Sequence, residues 1–319
     1  MGKTREQVLE WESRWSLPVG LATFAGVAVL VASAFVIGSI SGGGDAEILR
    51  SAHEHSSSVT LSSALEAIGF VLLVAPLYFL FRAVAARSDQ VRYQLIGLVV
   101  AAPLFFALAA VLNANATNEA ADQFTSGQAK STLTAKEAGA ECKSELKDMG
   151  AKEFGEEFDA KGLTPEADCI ETKVADDEAG NAISEASTRG VATGFGLGAR
   201  LGLAVALFYS CLHAMRVGLL TRFWGSLGMA LGVAALLLLV QFTLIWFVYF
   251  GLLLTGRIPG GRPPAWAAGE AIPWPTPGEK MAAELEPPEE DHGPSLPPAN
   301  GNGGGPEPGP ERRKRKQRD

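Results

Sequence analysis

No stretch of this chain spells a familiar catalytic signature. It has no phosphate-cradling loop, no Gly-x-Ser-x-Gly elbow, no paired-histidine zinc helix and no dinucleotide-binding glycine pattern. Those absences argue against an ordinary enzyme, and neither catalytic residues nor a cofactor is assigned. Histidine is scarce, at four in 319 residues, and cysteine scarcer, at three. Zinc or copper needs three or four converging ligands. The nearest cluster, His53-Glu54-His55 with Asp45 and Glu47 upstream, supplies few and reads as a polar loop, so no metal is assigned. Cys211 and His213 form a Cys-x-His pair, but residues two apart on a helix point about 200° from each other, and no third group orients them. A secretory signal is also missing. The first apolar run is too long for one and lacks a small-residue cleavage site, so it reads as an anchor.

What the chain has instead is grease. Leu17 to Ile40, Ala64 to Phe81, Tyr93 to Leu112, Val191 to Met215 and Trp224 to Gly256 are apolar runs. About 20 such residues cross a bilayer as a helix. The fold class expected is all-α, a polytopic transmembrane bundle of five to six segments, with a small helical extracytoplasmic domain and a disordered C-terminal tail. Lys/Arg collect in short cytoplasmic loops. Here they mark the N-terminus (Lys3, Arg5, Arg14), the 82–92 link (Arg82, Arg87, Arg92) and the link after the fourth run (Arg216, Arg222), whereas the 41–63 loop has only Arg50. A multi-pass cell-membrane protein with a cytoplasmic N-terminus and an external 114–189 loop follows.

The last run decides the count. As one helix, 224–256 would be about 50 Å long against a core of about 30 Å, and would need a steep tilt. As a hairpin it turns near Val240-Gln241, without Gly or Pro to mark the turn, and returns Arg257, Arg262 and the C-terminus to the cytoplasm. The charge rule favours the hairpin, hence six. "HAMRVGLLTRFWGSLGMALG" (213–232) followed by "GRIPGGRPPAWAAGEAIPWP" (256–275) resembles a group of uncharacterised actinobacterial polytopic membrane proteins, a domain-of-unknown-function family usually drawn with six spans. The resemblance covers the membrane part, about half the chain, and implies six spans but no activity.

Outside the runs, "TREQVLEWESRW" (4–15) pairs Thr4 with Gln7 as a capping box and predicts an in-plane amphipathic helix over 1–16, with Pro18 opening the first span. Residues 17–113 then hold the first three spans. The 114–189 segment carries 17 Asp/Glu against 8 Lys/Arg and offers a protein partner an acidic surface. Thr134 with Glu137 makes a second capping box, with a stop at Gly150, and Thr164-Pro165 opens another helix. Cys142 and Cys169, the only cysteines outside apolar runs, would face an oxidising compartment and are paired as a disulfide. Residues 190–256 hold the remaining spans. From Ile258 on, 14 Pro and 10 Gly in 62 residues cannot bury a core, so 257–319 reads as disordered. Trp266 and Trp274 are expected at the membrane surface, and the terminal "RRKRK" offers a site for anionic lipid. No fold for nucleic acid accompanies those charges.

Gly190, Gly194, Gly198 and Gly202 recur every fourth residue, a glycine zipper that lets helices approach closely in lipid, either within the bundle or in a homo-oligomer. Ala192, Gly196, Arg200 and Ala204 form a second row on another side, with Gly225, Gly228 and Gly232 as a facing surface. Arg200 and Glu66 are the candidate intramembrane ion pair. Pro76 and Pro103 are candidate kinks. The reading that results is a non-enzymatic envelope accessory, scaffold or sensor-like protein. Its rivals are a small transporter or channel, with Glu66 and Arg200 beside a polar path through Pro76, Pro103, Asn113 and Gln241, and, third, an intramembrane enzyme.

Overall fold

The computed structural model describes residues 4–38, 40, 43–149, 165–237, 240–258 and 261–274. Every regular element among them is helical: α1 (Arg5–Ile37), α2 (Asp45–Glu54), α3 (Ser56–Ala85), α4 (Ile96–Thr125), α5 (Ala135–Met149), α6 (Pro165–Glu185), α7 (Arg189–Arg216), α8 (Arg222–Leu236), α9 (Thr243–Thr255) and α10 (Pro264–Ala268). Four of them, α1, α3, α4 with its leading turn, and α7, are long and apolar enough to cross a membrane. This is a helical membrane protein. Six helices form a ring: α1 packs on α3, α3 on α4, α4 on α7, α7 on α8, and α9 closes back on α1.

The expectation of a separate in-plane helix over 1–16 is not met. α1 runs unbroken for 33 residues through Pro18. A proline forfeits one backbone bond, and what the first turns bury compensates for it. Val8, Glu12 and Ser16 face inward, and Trp11 stacks on Phe79 at 4.8 Å. Farther along, Gly26 and Gly69 let α1 and α3 cross closely, each glycine facing the other's carbonyl. Pro76 and Pro103 also lie inside continuous helices, both buried.

Among the described residues, 224–256 form two shorter apolar helices rather than one long one. α8 ends at Leu236 and α9 begins after a 3-10 turn at Val240–Phe242. The arms run antiparallel, since Trp224 stacks on Tyr249 at 3.6 Å and Trp246 Nε1 donates to the Trp224 carbonyl at 3.1 Å. An arm of 15 residues is about 22 Å long, short of the roughly 30 Å hydrocarbon core. The hairpin therefore starts and finishes at the same end of the bundle and stops partway to the other. Beside it lies the heavy core, with Trp246, Phe247, Phe250, Phe79, Phe81 and Leu207 fully buried.

At that end the chain beyond the last apolar helix turns back into the bundle. This corrects the expectation of disorder for the described part of 257–274 and the expectation that Trp266 lies at the surface, while Trp274 is only half-buried. Trp266 is buried and its Nε1 donates to the Leu219 carbonyl at 2.9 Å, while Trp274 Nε1 donates to Leu220 at 2.8 Å. Gly218 makes the docking possible. Its φ of 76° is left-handed, and a side chain there would strike the Ile272 carbonyl. Under this strap Glu12 and Arg87 form a buried ion pair, with Arg87 Nη2 at 2.9 Å from Glu12 Oε2 and 3.0 Å from the Ala265 carbonyl. The remaining tail, 275–319, and its basic terminus lie outside the described residues.

The opposite end carries the small helical domain, and it is larger than the sequence indicates. The 41–63 loop contains α2, and α4 extends past the expected boundary near residue 113 to Thr125. Both pack with α6 around a core of alanines, including Ala52, Ala120, Ala121 and Ala179, sealed by Leu49. Small side chains let these helices lie close but bury little apolar area. Cys142 and Cys169 are bonded, with Cα atoms 6.0 Å apart, tying α5 to α6. Thr134 and Glu137 cap α5 reciprocally, and Pro165 opens α6, while Gly150 and Thr164 lie outside the described residues.

Asp177 on α6 gathers the 131–133 turn, accepting from Ser131 Oγ (2.8 Å) and from the N–H groups of Thr132 (2.7 Å) and Leu133 (3.0 Å). Those bonds, the Ser131 hydroxyl foremost, hold its carboxyl below the usual carboxylate range. A depressed folded pKa gives stabilisation that is present above the unfolded value of about 3.9 and lost as pH falls through the lower folded value. The Thr132 and Leu133 amides are therefore expected to lose hydrogen-exchange protection, relative to the bundle helices, only below about pH 4. In D177N that acid-triggered loss should be absent. Protection that is insensitive to both changes counts against the role.

Candidate functional site

Between the alanine core and the heavy core lies a polar gap. It exists because the hairpin is short. α7, α4 and α3 continue beyond the level where α8 and α9 turn, so side chains that would meet a helix there meet space. The gap has two lobes of about 660 and 600 Å³, which share Glu66, Phe70, Ala110, Asn113, Val240 and Gln241.

Helical spacing sets the lining. On α7, Arg189, Thr193, Gly196 and Arg200 fall at i, i+4, i+7 and i+11, one stripe facing the smaller lobe. On α3, Ser62, Ser63, Glu66 and Phe70 share a face, and α4 contributes Ala110, Asn113 and Thr117. Ser33 of α1 joins from the far side, and Gln241 at the hairpin tip forms the floor. Phe70 and Phe106 stack at 4.6 Å behind the charged groups.

Glu66 and Arg200 thus line one cavity, but no contact within 4.0 Å joins their charged atoms among the described residues. Arg200 Nε is buried with no hydrogen-bond partner. Arg189 is engaged, donating Nη1 to Asn113 Oδ1 at 2.8 Å. The hydroxyls are turned to backbone carbonyls: Ser62 donates to Ser33 O at 3.1 Å and Thr117 to Asn113 O at 2.9 Å. The groups left to meet a guest are the Arg200 guanidinium, the Glu66 carboxyl, the Asn113 Nδ2 group and the Gln241 amide. Such a set is chemically suited to holding and orienting a charged ligand. Below Gln241 the heavy core fills the interior, so the cavity ends blind.

The glycine zipper divides at the same height. Gly202 packs against Ala102 of α4, and Gly198 touches the Phe105 ring, but a side chain at Gly190 or Gly194 would meet nothing within 4 Å. The facing glycines do meet α7, with Gly232 at Ala204 and Leu207, Gly228 at Cys211 and Gly225 at Met215. Cys211 is buried in that packing, whereas His213 leans on Tyr209 with ring centroids 4.5 Å apart. His53 lies 3.1 Å from Asp122 and His55 reaches the Ser51 carbonyl, and no metal-binding cluster occurs among the described residues.

The sequence singled out Glu66, Arg200, Asn113 and Gln241 but not Arg189, Thr193, Ser33, Ser62, Ser63 or Thr117. For α7 a signal was present: Thr193 and Gly196 at helical spacing, bracketed by Arg189 and Arg200. Comparison with protein-family models, curated proteins and solved structures yields no significant match, so the resemblance to six-span actinobacterial proteins stands on its quoted residues alone.

Proposed function

We propose that the protein is a non-enzymatic accessory of the cell membrane, sensor-like in action, which binds a ligand in the polar cleft and answers it through the domain seated above. In this reading the arginine-rich end, with the N-terminus and the 257–274 strap, is cytoplasmic. The disulfide-bonded domain then faces the oxidising side. The observation that carries the proposal is the blind cavity, lined by unpaired charges next to one end of the bundle and backed by a packed aromatic core towards the other. A cavity of this form favours binding over passage.

A transporter is the second reading, favoured by one observation: Glu66 and Arg200 remain unpaired within apolar helices. One pair of experiments separates the two. A Thr193→Cys variant should react with a membrane-impermeant thiol reagent from the external face only. Proteoliposomes should show no sodium, potassium or proton flux above empty vesicles. Flux that E66Q abolishes would reject binding-only action in favour of transport.

A further inference from the structure

Glu66 and Arg200 present opposite charges to one cavity and do not satisfy each other. A single guest able to meet both must itself carry both signs. The guanidinium calls for an oxyanion, and the carboxyl calls for a cation that can donate hydrogen bonds. The neighbouring hydroxyls add little donation, because their protons are directed at carbonyls.

Shape narrows the guest further. The charged lobe continues into a second lobe walled by Leu30, Ile37, Val59, Phe70 and Leu244. A soluble zwitterion has no use for that wall, but an acyl chain does. Access points the same way. The α-helical arms end at Leu236 and begin again at Thr243 with only a 3-10 turn at Val240–Phe242 described between them, and α1 and α7 share no extended packing, so among the described residues no α-helix fills the ring between them at this height. In a bilayer that gap faces lipid, and a tail can enter sideways.

We propose that the cleft binds one zwitterionic membrane lipid whose headgroup carries a phosphate and a primary ammonium. The phosphate sits on Arg200, the ammonium meets Glu66, and one acyl chain lies along the lobe between α1 and α3. This rests on the reading of the cleft as a ligand site and adds the ligand's chemical class.

The test uses the full chain, purified in detergent and stripped of lipid. It is titrated with phosphatidylethanolamine, phosphatidylcholine, phosphatidylglycerol and soluble phosphoethanolamine, with binding counted by native mass spectrometry. One phosphatidylethanolamine per chain is expected, held about tenfold or more tightly than the other two lipids. Phosphoethanolamine at the same concentrations should not bind. E66Q should bring phosphatidylethanolamine and phosphatidylglycerol within about twofold of each other, and R200Q should weaken both about tenfold or more. Gly196→Leu is the control for folding. A side chain there meets nothing within 4 Å, so it should fill the polar lobe and remove lipid without lowering the lipid-free unfolding midpoint.

Equal binding of the three lipids, or a preference that E66Q leaves intact, overturns the zwitterion. Capture of phosphoethanolamine at lipid concentrations overturns the acyl component. Failure of the accessory reading shows separately, as flux in proteoliposomes with the lipid preference unchanged.

Discussion

Replacing Arg87 with Met is expected to destabilise the solubilised protein by about 3–5 kcal/mol, the usual cost of stranding one member of a buried ion pair. The pair is well hidden, with the Arg87 and Glu12 side chains 0% and 6% exposed. Loss of the guanidinium leaves the Glu12 carboxylate buried and removes a donor from the Ala265 carbonyl, so the strap carrying Trp266 should loosen with it. The double variant E12L/R87M is the informative control. Two apolar side chains of similar size leave no stranded charge, and replacements of that kind are often neutral. Recovery of most of the lost stability by the double variant is therefore expected in unfolding followed by Trp fluorescence. A double variant as unstable as the single one would mean that the strap depends on packing rather than on charge.

The second large effect concerns the other end. Reduction of Cys142–Cys169, or the C142S/C169S variant, should cost the helical domain about 3–4 kcal/mol by the chain-entropy estimate for a loop of this length. The domain is poorly equipped to absorb that loss, because its core is mostly alanine. Each alanine buries little apolar area, and hydrophobic stabilisation scales with area. The expected result is selective. Protease cleavage within 126–189 should accelerate on reduction while α1, α3 and α7 stay protected. Equal resistance with and without reductant would show that helix packing alone suffices.

Much of the architecture was legible because lipid imposes coarse rules. Long apolar runs, capping boxes at Thr4 and Thr134, and two cysteines outside the greasy segments all announce themselves in one dimension. Three features were hidden, for different reasons. The strap was masked by composition, since Pro and Gly around Trp266 read as unstructured, and its order comes from distant partners such as the Leu219 and Leu220 carbonyls and Arg87. The domain core was masked because alanine is ordinary in any helix. α1 was divided too early because Glu12, a charge on a helix expected to lie in plane, has a partner 75 residues away.

The site was half visible. Glu66 and Arg200 stand out as charges within apolar runs, but their relation depends on how far the hairpin reaches, which no local pattern records. Where the turn after Leu236 falls decides whether those side chains meet a helix or an opening. Arg189 joins them only because α7 begins where α4 still has Asn113 to offer.

Closure of the ring by α1 and α9 has a consequence for biosynthesis. Gly20 and Gly251 fit these helices together, with Phe24 against the latter. α1 therefore waits for α9, about two hundred residues of translation later. Until then one flank of the nascent anchor is covered only by acyl chains or by an insertion chaperone. A ribosome that stalls before Thr243 leaves an assembly whose seam beside α1 is still open.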